Sequence, residues 1–173
     1  MTRTAAHTRY GGTDMEPPLR AVIFLLDRQR YALPLTTVER VVRAVEVVTL
    51  PGAPHLVLGI IDVGGRVLPV ISLRRRFSLP DRQIEVTDQF LIANTTLRPV
   101  ALVIDDVAGV IECESSAVAG PAAIGPGMES FEGVAKLEDG LVLIHDLTKL
   151  LSLDEIRALE AALSDEEHVH DQR

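Results

Sequence analysis

Residues 61–80 read IDVGGRVLPVISLRRRFSLP. Two apolar runs flank Gly64-Gly65, and three consecutive arginines, Arg74 to Arg76, follow. Glycine reaches positive φ without steric cost, so paired glycines between β-branched runs mark a two-residue hairpin turn. A phosphate-binding loop would need Lys-Ser/Thr and a helix after the glycines, and neither follows. The stretch is therefore a β-hairpin that runs into an arginine-rich turn. Three adjacent arginines on a turn cannot all face one way. Some keep an edge soluble, and at least one pairs with a carboxylate.

The same pattern extends in both directions. Short apolar runs occur at 21–26, 31–35, 45–50, 58–63, 67–73, 90–93, 100–104, 107–112, 133–137 and 141–145, each closed by a turn signal. Many short strands at even spacing describe an all-β protein of sandwich or barrel type, not a parallel sheet. Ten strands exceed one small barrel, and the polar segment 78–88 with Pro80 supplies a break. The expected organisation is two five-stranded barrel subdomains, 20–80 and 86–151, with exchange of strands between them allowed. A low aromatic content and the absence of Trp suit small cores of interlocked Val, Leu and Ile.

Helical signals are few. Residues 36–43 carry Thr36 or Thr37 as a cap and Val38, Val41 and Val42 on one side, and 74–77 makes about one turn. The clearest helix is 152–164, with Ser152 and Glu155 as a capping box and Leu153, Ile156, Leu159 and Leu163 at helical spacing. His145 precedes Asp146, a helix cap, and reads as a hydrogen-bonded structural histidine. Residues 1–19 and the acidic tail 165–173, with His168 and His170, are expected to lack fixed structure. Met15 offers a second start.

The chain has 173 residues and a net charge of −8, which opposes nucleic acid as the main partner. The charge is uneven: residues 1–98 balance to +4 and residues 99–173 to −12. That split suits either a solvated acidic end or a molecule with differently charged faces. No apolar run is long enough to span a bilayer, and the N-terminus lacks the apolar core of a signal peptide, so a cytoplasmic protein is expected. Cys113 is the single cysteine and closes no disulfide or zinc site by itself.

A search for chemistry returns no catalytic constellation. Asp105 and Asp106 are adjacent, so on a strand they point to opposite faces, and they better end a strand and begin a turn. Glu112 and Glu114 suit a solvated edge, and His55 lies in a loop. The Gly-rich stretch 120–127 fails the phosphate-loop test, and Pro126 removes a donor. Arg66, Arg74, Arg75 and Arg76 form the alternative of a small-barrel nucleic-acid binder, opposed by the net charge and by scarce aromatic platforms. The sequence therefore describes an all-β recognition protein with no catalysis, cofactor, metal or membrane insertion.

Three pieces in order, VIFLLDRQRYALPLTTVERVVR, LPGAPHLVLGIIDVGGRVLPVISLRRRFSLP and GVAKLEDGLVLIHDLTKLL, resemble the CheW-type coupling proteins of bacterial chemotaxis and the related regulatory domain of the chemotaxis histidine kinase. The resemblance covers about residues 20–163 and rests on the combination of pieces. It implies two SH3-like five-stranded β-barrels with a shared core and a C-terminal helix. It also implies a non-enzymatic adaptor that bridges the cytoplasmic tips of chemoreceptors to the regulatory domain of the histidine kinase. The implied partner-binding residues are Val38, Arg40, Val41, Gly59, Asp62, Gly64, Arg66 and Arg74.

Several of these depart from the family pattern. Val38 fits, but Arg40 stands where an acid is expected, with Glu39 beside it. Gly59 fits as the glycine before the hairpin. The family's Asn-Leu-Arg-Gly turn becomes Asp62-Val63-Gly64-Gly65, which lacks the arginine, while Arg66 follows from the opposite strand face. Val-Asp-Leu-Arg becomes Ile71-Ser72-Leu73-Arg74, which keeps the arginine and loses the acid. Each lost charge-assisted contact is worth about 1.5–3 kcal/mol if well paired. The departures imply a divergent adaptor with a rewired, acidic partner, in an accessory rather than a flagellar pathway. Val38, Val41 and Ile61 are an apolar binding strip in one reading and core in the other.

Overall fold

The structure is a computed structural model that describes residues 16–127 and 130–170, the side chains of residue 153 and of 166–170 excepted. Most of the N-terminal segment and the last three residues thus fall outside the described residues. The elements are β1 (Leu19–Leu26), β2 (Gln29–Pro34), β3 (Val38–Arg43), β4 (Val57–Val63), β5 (Arg66–Ser72), α1 (Leu73–Arg76), β6 (Gln89–Asn94), β7 (Pro99–Ile104), β8 (Asp106–Cys113), β9 (Val118–Ala119), α2 (Pro121–Ile124), β10 (Phe131–Leu137), β11 (Gly140–His145), α3 (Leu147–Leu150) and α4 (Leu153–His170).

They build two sheets. One has the order β8-β1-β2-β11-β10-β9 and the other β3-β6-β7-β5-β4. The described pairings are antiparallel except β2 with β11 and β5 with β7. The chain leaves the first sheet after β2 and returns to it at β8, so β1 and β2 lie with the C-terminal strands. The polar segment 78–88 joins α1 to β6 within the second sheet and does not separate the two sheets.

The hairpin at Gly64-Gly65 forms as its sequence requires, with φ of 63° and 84°. Asp62 tightens it by accepting the Gly65 amide at 2.7 Å. The β1–β2 turn places Asp27 and Arg28 at positive φ, which is costly for non-glycine residues. The Asp27 amide is held there by the Asp105 carboxylate at 2.8 Å.

Three expectations are corrected. Residues 36–43 are not a helix: a single 3-10 turn at Leu35–Thr37 leads into β3, which pairs with β6. A bulge between Val38 and Arg40 shifts the register, so the valines at 38, 41 and 42 mimic helical spacing on a strand. Their branched Cβ atoms favour that outcome. The run 45–50 contributes only an isolated bridge, Val48 to Ile60. The C-terminal helix continues past 164 to His170, because neither glycine nor proline stops it.

A shared core crosses both sheets. Phe24, Leu26 and Leu33 of the first sheet pack with Leu73 of α1, with Ile71, Leu91, Leu102 and Ile104 of the second sheet, and with Leu147, Leu150 and Ile156 of the C-terminal helices. Each such side chain contributes about 1.5–3 kcal/mol on burial. Helix α4 seats Leu159 and Ala162 against Leu50 on the outside of the second sheet. Its capping box forms as read: Ser152 accepts the Glu155 amide at 3.2 Å, and Glu155 accepts the Ser152 amide at 2.7 Å.

Candidate recognition site

Six of the eight sequence-derived binding residues come from two elements that the fold brings together. Val38, Arg40 and Val41 lie on β3, an edge strand of the second sheet. Asp62, Gly64 and Arg66 lie at the tip of the β4–β5 hairpin, and β4 is the other edge. The curved sheet brings its two edges together at this point. Arg66 donates from both terminal nitrogens to the two oxygens of Glu39, one bond at 3.3 Å, which ties the hairpin to β3. Arg40 approaches from the strand: a Cβ on Gly64 would lie 3.9 Å from its Nη2.

Glu39 and Arg66 flank the positions where the resemblance implies an acid and an arginine, and they pair with each other across this gap. The bare Gly64 leaves room for the added cation Arg40, which lies 3.7 Å from Glu39. Arg66 and Arg40 thus share the Glu39 carboxylate, while the Asp62 carboxylate is turned onto the Gly65 amide and takes no cation among the described ion pairs. Arg43 adds a further exposed cation on β3. Val41 is 36% exposed, whereas Val38 is half-buried against the shared core and Ile61 is buried. Of the apolar strip, Val41 is the residue that reaches the surface.

The other two residues lie inside the fold. A Cβ on Gly59 would stand 2.1 Å from the Val48 carbonyl oxygen, so Gly59 exists to let segment 47–48 cross the sheet. Arg74 is 8% exposed. Its Nη2 donates to both oxygens of Asp105 at 3.0 Å, and its Nη1 donates to the Pro80 carbonyl at 3.1 Å. Arg75 pairs with Asp81 and Arg76 with Glu155, so every member of the arginine triplet has a carboxylate.

The hub Asp105 was not legible as a site. It accepts from Arg74, from Arg82 at 2.9 Å and from the Asp27 amide, and so links the β1–β2 turn to the second sheet. Arg82 in turn forks onto buried Asp88 through two bonds of 2.8 Å. Burial alone would raise the Asp88 carboxyl, but the Arg82 fork and the Glu85 amide outweigh it and hold the group below the usual carboxylate range. The signal available in sequence was the acid directly after strand 100–104, opposite an arginine-rich turn.

His145 is also corrected. It is buried, but neither ring nitrogen has a hydrogen-bond partner among the described residues. The ring packs against Phe131, Phe77 and Tyr31 at centroid distances of 4.4, 4.6 and 5.6 Å. Desolvation pushes its pKa down to about 4. Asp146 after it does cap α3, accepting the Thr148 amide at 2.9 Å.

Two interlocked β subdomains and a docked C-terminal helix define the architecture, with a charged edge-and-hairpin face on the second sheet. Residues 20–155 match the family model of the CheW-like domain, and the chain belongs to that family. Chemotaxis protein CheW of Treponema pallidum is 28% identical over 162 residues, which are 90% of this chain and 95% of the relative. Chemotaxis protein CheW of Bacillus subtilis is 27% identical over 136 residues, covering 76% and 86%. The crystal structure of the scaffolding protein TtCheW from Thermoanaerobacter tengcongensis superposes with a TM-score of 0.71 at 28% identity, covering 80% of this chain and 95% of that one. The fold is that of two SH3-like subdomains with a C-terminal helix. No described helix is long and apolar enough to cross a membrane.

Proposed function

We propose that the chain is a non-enzymatic coupling protein of a chemosensory pathway, acting in the cytoplasm between chemoreceptor tips and the regulatory domain of a histidine kinase. The observation that carries this reading is the face assembled from β3 and the β4–β5 hairpin, on a chain whose relatives are chemotaxis and scaffolding proteins. Arg40, Val41 and Arg66 supply an apolar centre beside fixed cations. Such a face selects a partner with an apolar contact and a carboxylate facing Arg40. The extra cation at 40 and the bare turn at 64 favour a partner whose own charges have changed, as in an accessory pathway.

The test is calorimetry against the regulatory domain of a chemotaxis-type histidine kinase from the same genome, with the wild-type chain and Arg40→Glu. Binding at about micromolar Kd, weakened in the variant, is the expected result. A folded wild-type chain that does not bind, or a variant that binds more tightly, refutes the rewired coupling role.

A further inference from the structure

A groove of about 660 Å³ lies between segment 44–47 and segment 81–86, on the flank of the second sheet away from the hairpin tip. That volume is within the ~300–1,000 Å³ of ligand sites. It forms because the β3–β6 ladder ends there. The last rung is the Ala44 amide on the Asp88 carbonyl at 3.0 Å. Beyond it one wall crosses to bridge β4 at Val48, and the other turns away into the loop from α1.

Both walls keep unused backbone. Among the described residues, the amides and carbonyls of Val45, Glu46 and Val47 make no hydrogen bond, and neither do those of Ile84 and Val86. The floor is apolar, with Val47, Leu58 and Ile84 partly buried against the core of the second sheet. Val45 and Val86 stand 48% and 91% exposed at the rim. The charge of the lining is one-sided. Arg75 and Arg82 are spent on Asp81, Asp88 and Asp105. Glu46 has no ion pair among the described residues, and Glu85 reaches Arg82 only at 3.8 Å.

We propose that this groove is a docking site for an extended peptide segment of a partner protein, one that alternates branched apolar side chains with lysine or arginine. The segment enters as an added strand between the two walls. Its backbone takes up the free amides and carbonyls, its apolar side chains cover Val47, Leu58 and Ile84, and its cations meet Glu46 and Glu85. The site is separate from the β3–hairpin face and does not depend on the coupling role.

The experiment is an amide NMR titration of the intact chain with two synthetic peptides, Ac-Lys-Val-Lys-Val-Lys-NH2 and Ac-Glu-Val-Glu-Val-Glu-NH2. The lysine peptide is expected to move the amides of 45–47 and 84–86, and the glutamate peptide is expected to leave them in place. Glu46→Lys combined with Glu85→Lys, both on exposed side chains, is expected to weaken the lysine peptide about tenfold with the fold unchanged. Equal binding of both peptides, shifts elsewhere on the molecule, no shift, or an unaffected double variant overturns the proposal. So does movement of the same amides with protein concentration alone, which makes a second copy of the chain the occupant. None of these readings involves kinase or receptor, so failure here and failure of the coupling role are distinguishable.

Discussion

Lowering the pH from 7 to 5 should destabilise this protein at His145. Its imidazole is 1% exposed, wedged among Tyr31, Phe77 and Phe131, with no acceptor for a second proton. Desolvation lowers its pKa from 6.5 to about 4. The unfolded chain therefore takes up the proton first. Between those two values the unfolded state binds more protons, so stability falls as the pH drops through that window. At 1.36 kcal/mol per pKa unit, the ceiling is about 3 kcal/mol, reached below the folded value. From pH 7 to pH 5 the loss is about 2 kcal/mol. With a urea slope of ~2 kcal/mol per molar, that moves the unfolding midpoint by about 1 M. Urea titrations at both pH values measure it. In His145→Phe and His145→Leu, which carry no titrating group at position 145, the midpoint shift between the two pH values should shrink by about 1 M whatever each variant does to stability at pH 7. An equal midpoint shift in wild type and both variants would refute the reasoning, since the proton would then bind elsewhere.

Two further outcomes test the framework around the recognition face. Asp88→Ala leaves the Arg82 guanidinium without its buried fork, and because Arg82 keeps part of its side chain in water, the cost should sit at the low end for a broken buried pair, about 3 kcal/mol by urea unfolding. Gly59→Ala should cost more than about 4 kcal/mol or prevent folding, since its Cβ would overlap the Val48 carbonyl. Gly64→Ala, whose Cβ at φ 63° would meet only the flexible end of Arg40 at an ordinary 3.9 Å, should cost only about 1–2 kcal/mol. Comparable losses for the two glycine variants would contradict the assigned roles.

The elements that the sequence displayed were those set by local rules. Gly64-Gly65 demanded its turn, Ser152 and Glu155 their reciprocal cap, and most β-branched runs became strands. What it hid depends on partners far along the chain. The helical look of 36–43 came from a bulge, and a bulge is visible only once β6 lies alongside β3. Strand β9 is two residues long, and Gly133 lets it approach β10: a Cβ there would stand 2.7 Å from the Ala119 carbonyl oxygen. Within the candidate site, Arg40, Asp62, Gly64 and Arg66 were readable because they deviate from a known pattern, but their mutual contacts were not. Arg74 and Gly59 match the pattern and are interior residues, so agreement with a motif did not distinguish a contact surface from a packing requirement.

That distinction bears on how such a face changes while its fold persists. Glu39, Arg40 and Arg66 are exposed, and an ion pair there is worth only about 0–1 kcal/mol to stability. Changing a charge on this face therefore costs the fold little. The same charges facing a partner are partly desolvated on binding, where an unmatched carboxylate or guanidinium costs several times more. Arg74, Asp105, Arg82 and Asp88 behave in the opposite way: Arg74 and Asp88 are buried, Asp105 and Arg82 are half-buried, and the four are mutually satisfied and costly to change singly. A chain under pressure to change partners can vary the hairpin face freely while the Asp105 hub stays fixed. In this chain the two kinds of ion pair stand side by side, a mutually satisfied hub beneath the arginine triplet and an exposed pair between β3 and the hairpin.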